Sequence, residues 1–255
     1  MKKFLGGLLL VLLILGVGLY LTLNYFLGSI AKAGVNKFGP GITQTKVELK
    51  DAKISPISGI GTLSGFTVGN PAGWSQADAF RLGTVHLDVE PMSLFKDQII
   101  INEIVIDQPE FNYETKIVAS NIGDLLKNVE AAMGHRSSQP ATDQGKPIKM
   151  IIRKLTFSGG KVKVGMGPTG VELTMPPHSM TNIGVAEGGL TPPQVAYAIM
   201  ADVTAKVVSA TTGGMTQLGG TSGAAAVEAA KQAGDAIKGF FGGAKKPAAE
   251  PTPAK

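Results

Sequence analysis

From Phe4 to Leu27 the chain carries no charged residue, and Leu, Val, Ile and Gly dominate. As a helix, this run would be about 36 Å long at ~1.5 Å per residue. The hydrocarbon core of a bilayer is ~30 Å thick, so the run can span it with some tilt. Tyr20, Tyr25 and Phe26 lie toward its far end, where aromatic rings favour the membrane interface. The rival reading is a cleaved signal peptide, with Lys2 and Lys3 as the basic start and Ser29-Ile30-Ala31 as the cleavage site. Signal h-regions run ~7–15 residues, well short of this one, so an uncleaved anchor over residues 1–30 is expected. Lys2 and Lys3 favour a cytoplasmic N-terminus, although Lys32 and Lys37 dilute the bias. No second run of this kind follows. The expectation is a single-pass protein of the inner (cytoplasmic) membrane, with the bulk of the chain in the periplasm.

Outside that run, charge is close to balanced. The chain holds 24 Lys and Arg against 19 Asp and Glu, and two of the basic residues flank the anchor. No basic cluster interleaved with aromatics stands out, which argues against a nucleic-acid partner. There is no cysteine, so disulfides, thiolate metal sites and cysteine nucleophiles are excluded.

Residues 31–212 read as a β-rich domain. Thr45, Val47 and Leu49 alternate with Lys46, Glu48 and Lys50, and Val85, Leu87 and Val89 alternate with His86, Asp88 and Glu90. Period-two alternation marks a sheet with one wet and one dry face. Ile99 and Ile101 share one phase and Ile104 and Ile106 the other. A bulge near Asn102-Glu103 would return all four to one side. Pro109 forces an edge, bend or loop before Phe111 and Tyr113. Ser120–Met133 predicts a helix with Ile122, Leu125, Leu126, Val129 and Met133 on one stripe. Residues 135–147 read as a polar linker. Strands resume with Ile148, Met150 and Ile152, then Leu155 and Phe157, Val162 and Val164, and Val171, Leu173 and Met175. Gly159-Gly160 reads as a hairpin turn, and residues 165–170 as another. Thr191-Pro192-Pro193-Gln194 opens a second helix through a capping box. Residues 213–255 become Gly/Ala-rich and then Pro/Ala/Lys-rich. They suit a short helix over 224–241 and a disordered end. The fold class is β-rich α+β: a twisted, mostly antiparallel sheet with two flanking helices, preceded by one transmembrane helix.

Chemistry is sparse. His86, His135 and His178 are far apart in sequence and read as solvated, whereas metal sites need several converging ligands. Asp88 and Glu90 lie on one strand face about 7 Å apart by strand rise, an ordinary spacing for an exposed face. No phosphate-binding glycine loop and no nucleophile elbow is present. The expectation is a protein that is not an enzyme and carries no cofactor or metal. The apolar strand positions remain as candidates: Val85, Leu87, Val89, Ile99, Ile101, Ile104, Ile106, Phe111, Leu155, Phe157, Val162 and Val164. Such a face must be covered, either by helices as a core or by acyl chains as a groove. The residues alone leave both open and favour the core.

An anchor is followed by Gly59-Ile60-Gly61-Thr62-Leu63-Ser64-Gly65-Phe66-Thr67-Val68-Gly69-Asn70-Pro71, then Ala79-Phe80-Arg81-Leu82-Gly83, Ser93-Leu94-Phe95-Lys96-Asp97-Gln98, Gln108-Pro109-Glu110-Phe111 and Ser120-Asn121-Ile122. This succession resembles the AsmA-like family of bacterial envelope proteins over roughly residues 1–125. The resemblance implies an inner-membrane anchor, a periplasmic sheet with an apolar inner face, membrane lipids as partners and a part in lipid transport for envelope homeostasis. It brings no catalytic residue. About ten strands at ~4.8 Å spacing would make a sheet roughly 50 Å long. The alternative is a scaffold that holds envelope proteins through a sheet edge or the C-terminal helix.

Overall fold

A computed structural model describes residues 2–116, 119–134, 147–165 and 170–217. The chain begins with α1 (Lys2–Thr43), one helix of 42 residues. Leu13–Thr43 is long and apolar enough by length and composition to cross a membrane, and an 18-residue stretch of it with a mean hydropathy of 1.7 is only 7% buried. The expected anchor boundary at residue 30 therefore falls inside a helix. The helix ends at Gln44, which takes a left-handed φ of 54° and donates its N–H to the Pro40 carbonyl at 2.9 Å, closing the last turn.

Nine strands follow: β1 (Val47–Ile54), β2 (Ile60–Gly69), β3 (Asp78–Val89), β4 (Gln98–Asp107), β5 (Glu110–Tyr113), β6 (Lys149–Phe157), β7 (Gly160–Val164), β8 (Val171–Met175) and β9 (His178–Ile183). A short 3-10 helix, Pro91–Phe95, joins β3 to β4. The helices α2 (Asn121–Ala132) and α3 (Pro192–Gln217) complete the described fold. Both start as their sequences predict. Ser120 accepts the Gly123 N–H at 3.1 Å, and Gln194 reaches back to the Thr191 N–H at 2.9 Å.

The nine strands occupy only six columns. Along its second edge β3 pairs antiparallel with β4 through Thr84–Val89 and with β5 through Phe80 and Arg81, in one continuous register. β6 and β7 pair parallel to β4 and β5 with a single offset, Gln98 facing Lys149 and Tyr113 facing Val164. β8 and β9 likewise share one antiparallel register against β7 and β6. The sheet therefore runs β1, β2, β3, β4/β5, β6/β7, β8/β9. Five steps of ~4.8 Å make it about 24 Å wide, half the breadth expected from counting strands. Gly159-Gly160 does not turn the chain back: β7 continues β6 in the same direction beside β5.

Every column is interrupted on one transverse row. The β1–β2 register skips Lys50 and Gly65, and the β2–β3 register skips Gly65 and Gly83. The same row then meets Gln108-Pro109, Ser158-Gly159 and Pro176-Pro177 between the paired segments. Gly65, Gln108 and Gly159 there have φ of 66°, 43° and 86°. Because side chains alternate along a strand, one irregular residue changes which parity faces inward. Val85, Leu87 and Val89 face inward on one side of the row, and Phe80 and Leu82 on the other. The slip anticipated at Asn102-Glu103 is a second irregularity, where the β3–β4 register shifts between Asp88 and Val89.

The outer face is polar. Exposed ion pairs such as Lys154 with Glu103 at 2.8 Å and Lys161 with Glu172 at 3.0 Å cross it, each worth at most about 1 kcal/mol. The inner face packs with α2 and α3 in one apolar cluster.

Candidate functional site

The twelve apolar positions singled out from the sequence do share the inner face. Val85 faces Ile106, Leu87 faces Ile104 and Val89 faces Ile101 across β3 and β4. Ile101, Ile104 and Ile106 face Ile152, Leu155 and Phe157 in turn, and Phe111 faces Val162. Val85, Val89, Ile101, Ile106, Phe111, Leu155, Phe157 and Val162 are buried. They join Ile122, Leu125 and Val129 of α2 and Val195, Val203 and Val207 of α3 in one cluster. These eight are core side chains here and line no open groove. Leu87, Ile99, Ile104 and Val164 are only partly buried at its margin, with Leu63, Met150 and Met180. Apart from Val164, these lie in the half of the sheet that holds the β1–β2 turn and the 3-10 helix, and Phe66, Leu82 and Leu173 are partly buried in the other half.

A polar pin fixes the opposite half. Glu114 is 2% exposed and Asn121 fully buried. The Glu114 carboxylate accepts the Asn70 side-chain amide at 2.9 Å and the Ser75 N–H at 3.2 Å, together with the Ser75 hydroxyl. Asn121 accepts the Glu114 N–H at 2.9 Å and donates to Asn70 Oδ1 and the Asn112 carbonyl, each at 2.7 Å. Asn70 and Asn121 both lie in the segments that carry the family resemblance. Their work in the fold is to satisfy buried polar groups and to hold the β2–β3 loop against the start of α2. Trp74 adds a bond from its indole N–H to Asp124 at 3.0 Å.

His178 is not solvated. Its side chain is 12% exposed, stacks on Phe157 at 4.6 Å and meets Asp202 of α3 at 2.9 Å. Sequence reasoning missed this pair because Asp202 lies 24 residues further on, in the helix that follows β9. His86 lies exposed beside Asp107 at 3.1 Å. His135 and the candidate C-terminal helix lie outside the described residues, as do most of the linker 135–147 and the centre of the 165–170 turn. Asp88 accepts the Asn102 amide at 3.3 Å, Asn102 accepts Arg153 at 2.6 Å and Glu90 approaches Arg153 at 4.0 Å, so the two carboxylates are joined through Asn102 and Arg153 on the exposed face. Among the described residues no group of three His, Cys, Asp or Glu could hold a metal ion. Burial pushes the Tyr113 phenol above its ordinary value, and the Ser120 hydroxyl draws it part of the way back.

The other distinctive surface joins helix to sheet. A cleft between α1 and β1 is lined by Leu21, Tyr25, Gly28, Ser29 and Lys32 on one side and by Asp51, Ala52 and Lys53 on the other. At its floor, a Cβ on Gly28 would come within 2.0 Å of the Ala52 carbonyl oxygen, so only glycine permits this approach. Asn36 then serves the free edge of β1 as a strand would. Its Oδ1 accepts the Leu49 N–H at 2.7 Å, and its amide donates to the Leu49 carbonyl at 3.3 Å. The anchor helix is thus fastened to the sheet over its last four turns.

No curated protein matches the chain. The family comparison covers α1 through the end of β7 and leaves β8, β9 and α3 outside the match. An apolar N-terminal helix continuous with a strand-rich sheet is the architecture over which it runs. On a match spanning residues 2–166, the chain belongs to the AsmA family, which suggests a membrane-anchored protein of the envelope.

Proposed function

We propose that this chain is a non-enzymatic, single-pass protein of the inner membrane whose periplasmic domain binds membrane lipid or helps to transfer it. The observation that carries the reading is the apolar margin left partly uncovered around the closed core. Phe111, Tyr113 and Val162 are at most 3% exposed. At the margin Leu63, Leu87, Ile99 and Ile104 stay partly uncovered in one half of the sheet, and Phe66, Leu82 and Leu173 in the other. An apolar margin of this kind gains about 25 cal/mol for each Å² removed from water, and an acyl chain is a suitable cover. The eight buried positions support the fold beneath that margin.

Photo-crosslinking tests the reading in membranes. A benzophenone side chain at Ile104 should yield a phospholipid adduct by mass spectrometry, and one at Thr156 on the outer face should not. Equal yields at the two positions, or none at Ile104, would remove the lipid reading. The closed core favours a second reading. Among the described residues β8 and β9 are the last column of the sheet and pair on one side only, so a protein partner could add a strand there. Protein adducts from Thr181 without lipid adducts from Ile104 would select that scaffold role.

A further inference from the structure

The long helix sets the polarity of the domain against the bilayer. Gly39 of α1 lies against Val47, and Gly28 against Ala52, with Asn36 bonded to Leu49 between them. Moving back along α1 toward its apolar start therefore means moving forward along β1 toward Ile54. The apolar part of α1 leaves the domain past the end of the sheet that carries the β1–β2 turn and the 3-10 helix Pro91–Phe95. These two are adjacent, because Val89 donates its N–H to the Gly59 carbonyl at 3.1 Å.

Exposed apolar side chains concentrate at this end. Outside α1, six large hydrophobic residues are exposed among those described: Ile57, Ile60, Met92, Phe95, Val171 and Val185. Only Val171 lies at the far end. Ile57 is 75% exposed, Ile60 62%, and Met92 and Phe95 65% each, whereas the far-end loop between β2 and β3 is polar and pinned. Distance fits as well. Ile57 is five residues past Ala52, at most about 17 Å further along at ~3.3 Å per residue. On α1 the same span is about eleven residues, which sets the tip beside the apolar run. Lys53 and Lys96 flank the tip and suit anionic headgroups.

We infer that Ile57, Ile60, Met92 and Phe95 form a second membrane contact, a wedge seated at the headgroup and acyl boundary of the bilayer that α1 crosses. The inference rests on the membrane anchoring in the proposed function and not on lipid transfer. With two attachments, the tip and α1, the sheet is held at a fixed attitude and its partly covered inner face begins at the lipid surface.

The natural absence of cysteine makes the test direct. Single cysteines replace Ile57, Phe95, Gln76 or Leu15 in the full chain, each is labelled with an environment-sensitive nitrobenzoxadiazole dye, and the protein is reconstituted in phosphatidylethanolamine/phosphatidylglycerol vesicles. The expected result is blue-shifted emission at positions 57 and 95, quenched at least twofold by spin-labelled acyl chains, with water-like emission at 76. The label at 15 reports whether α1 is inserted. Quenching at 15 without quenching at 57 or 95 overturns the wedge and leaves the anchor standing. Blue-shifted but unquenched emission at 57 and 95 overturns it in favour of a protein covering the tip. No quenching at any position removes both the anchor and the wedge. A lipid-free inner face combined with a quenched tip would separate this inference from the lipid-transfer reading.

Discussion

Replacing Asn121 by Ala isolates the pin that joins the β2–β3 loop, β5 and α2. The side chain is fully buried and makes three hydrogen bonds, at 2.9, 2.7 and 2.7 Å. Truncation strands the Glu114 N–H and the Asn112 carbonyl, and it removes a donor that orients Asn70 beneath the Glu114 carboxylate. A buried polar group left without a partner costs about 1–3 kcal/mol. Two such groups, with partial relief where Asn70 borders solvent, give a predicted loss of about 2–5 kcal/mol. For a folded unit of this size each kcal/mol moves the midpoint by ~2–4 °C, so a loss near 3 kcal/mol lowers Tm by about 6–12 °C. The assay is thermal unfolding of the full chain in detergent micelles, followed by circular dichroism at a wavelength dominated by the sheet. Gln76→Ala, in the same loop and exposed, is the control and should stay within about 0.5 kcal/mol of the parent. A loss below about 1 kcal/mol for Asn121→Ala, or an equal loss for the control, would refute the assignment of the pin as a buried, fully satisfied network.

Asn36→Ala should release the edge of β1: amide exchange at Leu49 is expected to rise about 5–10-fold, the equivalent of roughly 1 kcal/mol, and unchanged exchange would mean that the Asn36 bonds do not hold the edge. Asp202→Ala should loosen α3 from β9 and cost about 1–3 kcal/mol, read as a lower unfolding midpoint. The raised Tyr113 pKa gives a signed prediction at high pH. Folding favours the neutral phenol, so this contribution is complete below the unfolded value of ~10 and is lost as pH rises through the higher folded value. Unfolding midpoints measured from pH 8 to 11 should therefore fall more steeply for the parent than for Tyr113→Phe, and parallel curves would exclude Tyr113 as the cause.

Local patterns announced much of this architecture. The alternation Val85, Leu87, Val89 identified a one-sided strand, and the phase change between Ile101 and Ile104 identified an irregularity that the β3–β4 register contains. Ser120 and the Thr191–Gln194 pair announced two helix starts. Gly159-Gly160 misled because a glycine pair is compatible with a hairpin and with a break in a continuing column. Only the parallel register of β6/β7 with β4/β5 decides between them. That register joins segments 51 residues apart, a separation at which no local propensity acts.

The sequence by itself determined the apolar helix, the strand-rich domain and which side chains share its dry face, because hydropathy and period are properties of neighbouring residues. The tertiary structure alone decided what covers that face, that Asn121 and Glu114 form a buried pin, that His178 meets Asp202, and that α1 runs on to fasten β1. Each of these depends on which distant segments come within a few ångströms, and that is set by packing the whole chain into one core.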